Sequence, residues 1–244
     1  MKPEPTIDDN ELLRALPGAE KQRLVPHLEL VVVPAGTVIA QPGATQQYAY
    51  FPTSSIVSWT RDLADGRSTV IATTGKEGVI DPSLFLDGIA TQSRAEVMTG
   101  GHAFRLRASV VKREVGRGSP LRVYALRYMQ AMLAQVAQTA VCSWHHSIEQ
   151  QLCRWLLASL DRLATNRLAV TQEVLANIVG MRRERVAEIA RTLREAGLIQ
   201  CTRGFVTVLD RVRLEKRACE CYMQVRHELA RLLTYSTPER AARV

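Results

Sequence analysis

The sequence predicts an α+β protein made of an antiparallel β-roll, one long helix and a winged helix-turn-helix. Three observations carry that prediction. Between residues 28 and 106, short β-branched or aromatic runs alternate with turn-forming residues. From Leu121 to Ser143 no Gly or further Pro interrupts an apolar pattern of helical period. From Thr171 to Val208 the chain reads as two short helices across a Gly-containing turn, followed by a hairpin.

Taken in order, Leu12, Leu13, Leu16 and Leu24 give helical spacing near the start, and Pro17-Gly18 should split that segment in two. Residues 30–33, 37–39, 48–51, 55–59, 68–71 and 95–98 are the candidate strands. Their separators are Pro34-Ala35-Gly36, Pro42-Gly43, Asp65-Gly66, Asp87-Gly88 and Gly100-Gly101. Ser119-Pro120 then supplies an N-cap residue and a proline at the first helical position. In the helix that follows, Leu121, Ala125, Tyr128, Met132, Val136 and Thr139 form one stripe. Leu126, Leu133, Ala137 and Val141 form an adjoining one. So much apolar circumference needs two surfaces to cover it, the roll and a second copy of the helix; the competing expectation is a helix buried inside a monomer. The expected divisions are residues 1–118 for the roll, 119–145 for the dimerisation helix and 146–244 for the winged domain.

Charge narrows the class of partner. The 244 residues carry 32 Lys and Arg against 24 Asp and Glu, a net +8. Residues 146–244 hold 17 and 11 of these, so +6 of the excess sits in the last 99 residues. A segregated basic excess points to a polyanion, nucleic acid ahead of a membrane surface. No apolar run approaches the ~20 residues that cross a bilayer, and the proline-rich, acidic N-terminus lacks the apolar core of a signal peptide. Five cysteines without framework spacing fit a reducing compartment, so a cytoplasmic location is expected.

The candidate DNA-binding residues lie in the helix-turn-helix. Thr171 can cap its first helix, Val174, Leu175 and Ile178 turn inward, and Gly180 permits the turn. The second helix, from about Arg182 to Ala196, buries Val186, Ile189, Ala190 and Leu193. It leaves Arg182, Arg183, Glu184, Arg185 and Glu188 on its surface. The first turns of such a helix reach base edges, where Arg pairs bidentately with guanine and Glu accepts from cytosine N4. A solvated face stitched by Arg185–Glu188 and Glu188–Arg191 pairs is the competing expectation. The hairpin of residues 199–208 has the form of a wing, with Arg203 at its tip placed to meet phosphate.

This order of parts resembles the Crp/Fnr family, the bacterial transcription regulators related to the cyclic-AMP receptor protein and the fumarate and nitrate reduction regulator. The most specific stretches run from Ile178 to Val186 and from Leu193 to Ile199. The resemblance covers nearly the whole chain. It implies a cyclic-nucleotide-binding-like roll, a homodimer on an inverted-repeat operator in double-stranded DNA, and RNA polymerase as a further partner. It implies that Arg183 and Glu184 read bases, with Glu188 at a third reading position that is often arginine in the family. It does not imply an enzyme, and no catalytic cluster is recognisable.

The family's Gly-Glu-Leu segment, whose glutamate holds a ribose, corresponds here to Gly78-Val79-Ile80-Asp81. Its Arg-Ser pair corresponds to Ser93-Arg94 in reversed order. Asp81, Ser93 and Arg94 are therefore the candidate effector pocket, for a small anionic ligand. The substitutions weigh against a cyclic nucleotide, and a vestigial pocket in a dimerisation scaffold is the competing reading. With no cysteine before Cys142, the iron-sulfur cluster of the fumarate and nitrate regulator has no ligands.

Cys142, His145, His146, Glu149 and Cys153 would share one side of a continuous helix and are metal-ligand residue types, so a thiol- or metal-responsive hinge is an alternative. Packed hinge and core positions are the commoner explanation of such residues, and no metal is assigned. Cys219 and Cys221 should point to different sides of a helix and suggest no site.

Overall fold

The computed structural model describes residues 4–64, 68–86 and 91–234; the turns expected at Asp65-Gly66 and Asp87-Gly88 lie outside the described residues. Helices α1 (Glu11–Arg14) and α2 (Gly18–Leu24) open the chain, divided at Pro17 as expected. Asn10 fixes them to the roll. Its Oδ1 accepts from the Leu13 N–H at 3.0 Å, and its Nδ2 donates to the carbonyls of Pro52 and Gly78 at 2.8 and 2.9 Å. A fully buried amide thus has three partners.

Seven strands follow: β1 (Leu28–Val33), β2 (Val38–Ala40), β3 (Tyr48–Pro52), β4 (Ile56–Asp62), β5 (Ser68–Thr74), β6 (Arg94–Thr99) and β7 (Gly101–Arg107). They form two antiparallel sheets, in the orders β1-β7-β3 and β2-β6-β4-β5. This is the expected roll with one strand more than the sequence suggests. β7 is central to its sheet, pairing Phe104 with both Leu30 and Phe51. Its Phe104 and Leu106 alternate with Arg105 and Arg107 behind the Gly100-Gly101 turn, so it offers no continuous apolar run.

A helix the sequence did not suggest, α3 (Ala108–Gly116), leads to α4 (Pro120–His145). Ser119 and Pro120 take the expected starting positions of α4, although the Ser119 hydroxyl makes no capping bond. Leu121, Ala125, Tyr128 and Ala131 are buried, and Met132 and Val136 pack on the roll core. Tyr128 sets how closely the helix approaches. Its ring covers Gly78 so tightly that a Cβ there would lie 2.2 Å from it, and its hydroxyl lies 2.5 Å from Thr74 Oγ1. The adjoining stripe, with Leu126, Leu133 and Val141, is exposed.

At His146 the backbone turns extended, and Ser147 caps a new helix, α5 (Ile148–Leu160), through a capping box with Gln150. Then come β8 (Arg167–Ala169), α6 (Gln172–Val179), α7 (Arg183–Glu195), β9 (Ile199–Thr202), β10 (Phe205–Val208), α8 (Arg211–Glu215) and α9 (Cys221–Thr234). The small sheet has the order β8-β10-β9. Leu152, Leu156, Leu157, Val186, Ile189, Leu193, Val206 and Leu214 belong to one continuous core. Helix α9 returns to lie against α4, and its Leu229 reaches the core of the roll.

A buried ion pair joins the two halves. Arg162, just beyond α5, donates from Nε to Glu77 Oε1 at 2.8 Å and from Nη2 to the Thr73 carbonyl at 3.1 Å; Nη1 reaches the Ala158 carbonyl at 3.1 Å. Both charged side chains are almost wholly buried. Among the described residues, no helix is long and apolar enough to cross a membrane.

Candidate nucleic-acid interface

The interface is assembled by α6, α7 and the wing. Thr171 Oγ1 accepts from the Val174 N–H at 3.3 Å, the expected cap of α6. Leu175 is buried, and Val174 and Ile178 pack partly against the same core. Gly180 ends α6 at φ 65° and ψ 30°, a left-handed conformation that disfavours a Cβ, and the Met181 N–H closes the turn on the Ala176 carbonyl at 3.0 Å. This turn lets α7 cross α6 and bury Val186, Ile189, Ala190 and Leu193.

With that face buried, the opposite one is exposed from its first residue. Arg182, Arg183 and Glu184 are exposed and have no ion-pair partner among the described residues. Arg185 and Glu188 are exposed but engaged, Nη1 to Oε2 at 2.5 Å. The Glu188–Arg191 pair that the spacing allowed does not form, because Arg191 turns to Glu195 at 3.9 Å. The salt-bridge pattern of an ordinary surface helix therefore accounts for α7 from Arg185 onward and not for Arg182, Arg183 and Glu184.

In the hairpin Thr202 pairs with Phe205, leaving Arg203 and Gly204 as a two-residue turn with Arg203 exposed at its tip. Sequence reasoning missed β8, the third strand. Its Arg167 is exposed and holds its guanidinium 3.8 Å from the centre of the Phe205 ring, a cation–π contact that places a second arginine beside the wing. Three residues without a turn signal gave no strand pattern, and the only available clue was the apolar Leu168 following Asn166 and Arg167.

The residues proposed for an effector are placed apart in their bonding. Asp81 is buried with φ 60°, accepts a hydrogen bond from the Ser83 hydroxyl, and has its carboxyl pushed above the usual range by burial. Arg94 on β6 pairs with Glu96 at 2.7 Å, and the Ser93 N–H donates to Thr91 Oγ1 at 3.1 Å. A cleft of about 600 Å³ lies elsewhere, between β5, α5 and α9, lined by Arg162, Trp155, Gln135 and Leu229 among others.

The helical-side grouping of Cys142, His145, His146, Glu149 and Cys153 does not survive the break at His146. His145 is exposed, Glu149 accepts from Arg217 at 2.7 Å, and Cys153 is buried in the winged core. Cys142 and His146 instead meet Cys219 and Cys221, which helical spacing had set apart. They converge because α9 begins only at Cys221, leaving Cys219 on the preceding turn.

Residues 150–217, spanning α5 to α8, match the Crp-like helix-turn-helix domain family. No curated protein matches the chain. Among solved structures, FixK2 from Bradyrhizobium japonicum is similar at a TM-score of 0.67 and 15% identity, over 79% of this chain and 98% of that one. A CRP-family transcriptional regulator from Thermus thermophilus gives 0.64 and 20%, over 77% and 96%. The c-di-GMP responsive global regulator CLP of Xanthomonas campestris gives 0.62 and 18%, over 80% and 100%. At such identities these likenesses establish the shared fold.

Proposed function

We propose that this chain, a Crp/Fnr-type DNA-binding transcription regulator by its fold and its Crp-like helix-turn-helix domain, binds an inverted-repeat operator as a homodimer and reads it through the first turn of α7. The observation that carries this reading is the exposed, unpaired group of Arg182, Arg183 and Glu184 at the start of α7. Arg183 is assigned to guanine and Glu184 to cytosine, with Arg203 and Thr171 on the phosphates. Arg185 and Glu188 reach bases only by exchanging their mutual ion pair for the new contacts.

The dimer seam proposed on α4 is Val123, Leu126, Gln130, Leu133, Ala137, Ala140 and Trp144, which alternate in steps of three and four and are all exposed. That is the spacing of a coiled-coil stripe, and it faces away from the roll that buries Tyr128. Leu133 at 69% and Trp144 at 84% exposure are the side chains that most need a cover. We take residues 1–118, 119–145 and 146–244 as the sensor-like, dimerisation and DNA-binding parts. RNA polymerase contact and a cytoplasmic location follow from the same reading.

For the roll we infer a scaffold rather than a cyclic-nucleotide site. Asp81 accepts from the Ser83 hydroxyl and Arg94 pairs with Glu96, so the two do not face one another across a pocket, although the Arg94 Nε is buried without a partner. Calorimetry with cyclic AMP and cyclic GMP tests this: no heat and no change in operator affinity are expected, and a saturable heat would restore the pocket. The DNA assignment is tested by the Arg183→Ala variant, which should lose operator affinity and relax the preference at one position of each half-site.

A further inference from the structure

We propose that Cys142, His146, Cys219 and Cys221 form a tetrahedral site for a thiophilic divalent metal ion, zinc by preference, that clamps the start of α9 onto the end of α4. Three thiols and an imidazole arrive from two separate segments, the end of α4 and the start of α9, and their ligand atoms all lie within 4.8 Å of one another. The Cys142 and Cys219 sulfurs are 3.5 Å apart, and Cys221 Sγ lies 3.4 Å from His146 Nδ1. Zn–S bonds of ~2.3 Å and a Zn–N bond of ~2.0–2.1 Å in a tetrahedron would set these separations at about 3.8 and about 3.6 Å. Those two pairs need to open by only a few tenths of an ångström, and the wider separations in the cluster, up to 4.8 Å, need to close by up to about 1 Å.

The surroundings suit the same occupant. His146 Nε2 lies 3.2 Å from Glu220 Oε1, which places a carboxylate behind the ring to orient it, while Nδ1 is the nitrogen that faces Cys221. Gln138 Nε2 donates to Cys221 Sγ at 3.0 Å. Three thiolates on a dication carry a net negative charge, and Arg154 on α5 is close enough for its charge to act on Cys142. The Arg154 Nε is buried without a partner. The buried members of this cluster are cysteines alone, standing apart from the three larger apolar cores.

The location gives the ion a role. His146 is the extended residue that follows the end of α4, and α5 begins two residues later, so the ion would hold the joint through which the helix-turn-helix is connected to α4. Resting on the DNA-binding function proposed above, loss of the metal should loosen the orientation of α7 and lower operator affinity. Metal content is read without DNA, so a failure of the site and a failure of that function are distinguishable.

The test is elemental analysis of the full-length protein purified under reducing conditions without chelator, then of reduced apoprotein reloaded with zinc or cobalt. The expected result is about one equivalent per chain, with cobalt showing intense thiolate charge-transfer absorption and tetrahedral d–d bands. Cys142→Ser and Cys219→Ser should abolish it, while Cys153→Ser and Cys201→Ser keep it. If the ligand variants fail to fold, Glu220→Gln and Gln138→Ala should weaken zinc affinity by roughly 10- to 100-fold. Less than about a tenth of an equivalent after reloading overturns the proposal. So does equal zinc in wild type and all variants, or a Cys142–Cys219 disulfide in protein isolated anaerobically.

Discussion

Replacing Arg162 with methionine should destabilise the protein far more than a typical surface substitution. The guanidinium is buried and has three partners: the Glu77 carboxylate at 2.8 Å and the carbonyls of Thr73 and Ala158 at 3.1 Å. Methionine fills much of the same space, which limits the cavity, so the main loss is electrostatic. The Glu77 carboxyl is then left almost wholly buried without its counter-charge, and its Oε2 already lacks a partner. Removing one member of a buried pair costs about 3–5 kcal/mol. For a chain of this size each kcal/mol shifts Tm by about 2–4 °C, giving a fall of about 6–20 °C. The assay is urea and thermal unfolding at fixed protein concentration, for Arg162→Met, Glu77→Gln and the double variant. The double variant should recover part of the loss, because it removes the stranded charge together with its partner. If the two effects add to within about 0.5 kcal/mol, Arg162 and Glu77 are not coupled and the joint between the halves is not held by this pair.

Further outcomes are expected elsewhere. Leu133→Glu, at the exposed centre of the α4 stripe, should weaken dimerisation by about two to four decades, since burial of each of two symmetry-related leucines is worth ~1.5–3 kcal/mol; sedimentation equilibrium reads it, and an unchanged mass would remove the seam. Arg203→Ala should weaken binding to all DNA sequences alike and reduce the slope of log affinity against log salt by about one per chain. Burial raises the Asp81 carboxyl, so the folded state favours its protonated form: stability from this group is present below the unfolded carboxylate value of about 3.9 and is lost as pH rises through the folded one. Asp81→Asn should therefore raise Tm at pH 7, with the advantage shrinking toward pH 4; a constant advantage across that range would assign it to another cause.

The parts of the fold that could be read from the sequence were those whose burial was one-sided. Val186, Ile189, Ala190 and Leu193 marked the inner face of α7 and left its charges outside, and Gly180 marked the turn. The two stripes of α4 were likewise visible, one now buried by the roll and one exposed. What stayed hidden depended on contacts distant in sequence. β7 becomes a strand by pairing on both edges, β8 is only three residues long, and Arg162 finds Glu77 from 85 residues away. The cysteine grouping failed for a local reason with a long-range consequence. A single extended residue at His146 separated Cys142 from Glu149 and Cys153, while the late start of α9 brought Cys219 and Cys221 to it.

Selection of bound sequences from a random library by the wild-type protein and by Arg183→Ala tests whether a dimer reads DNA through the start of α7. The wild type should enrich an inverted repeat with half-sites about one helical turn apart. Arg183→Ala should bind that repeat less tightly by about 1–3 kcal/mol per half-site, roughly 5- to 150-fold, and lose preference at one symmetric pair of positions. Enrichment of no repeat, or an Arg183→Ala variant with unchanged affinity and preference, would contradict the assignment.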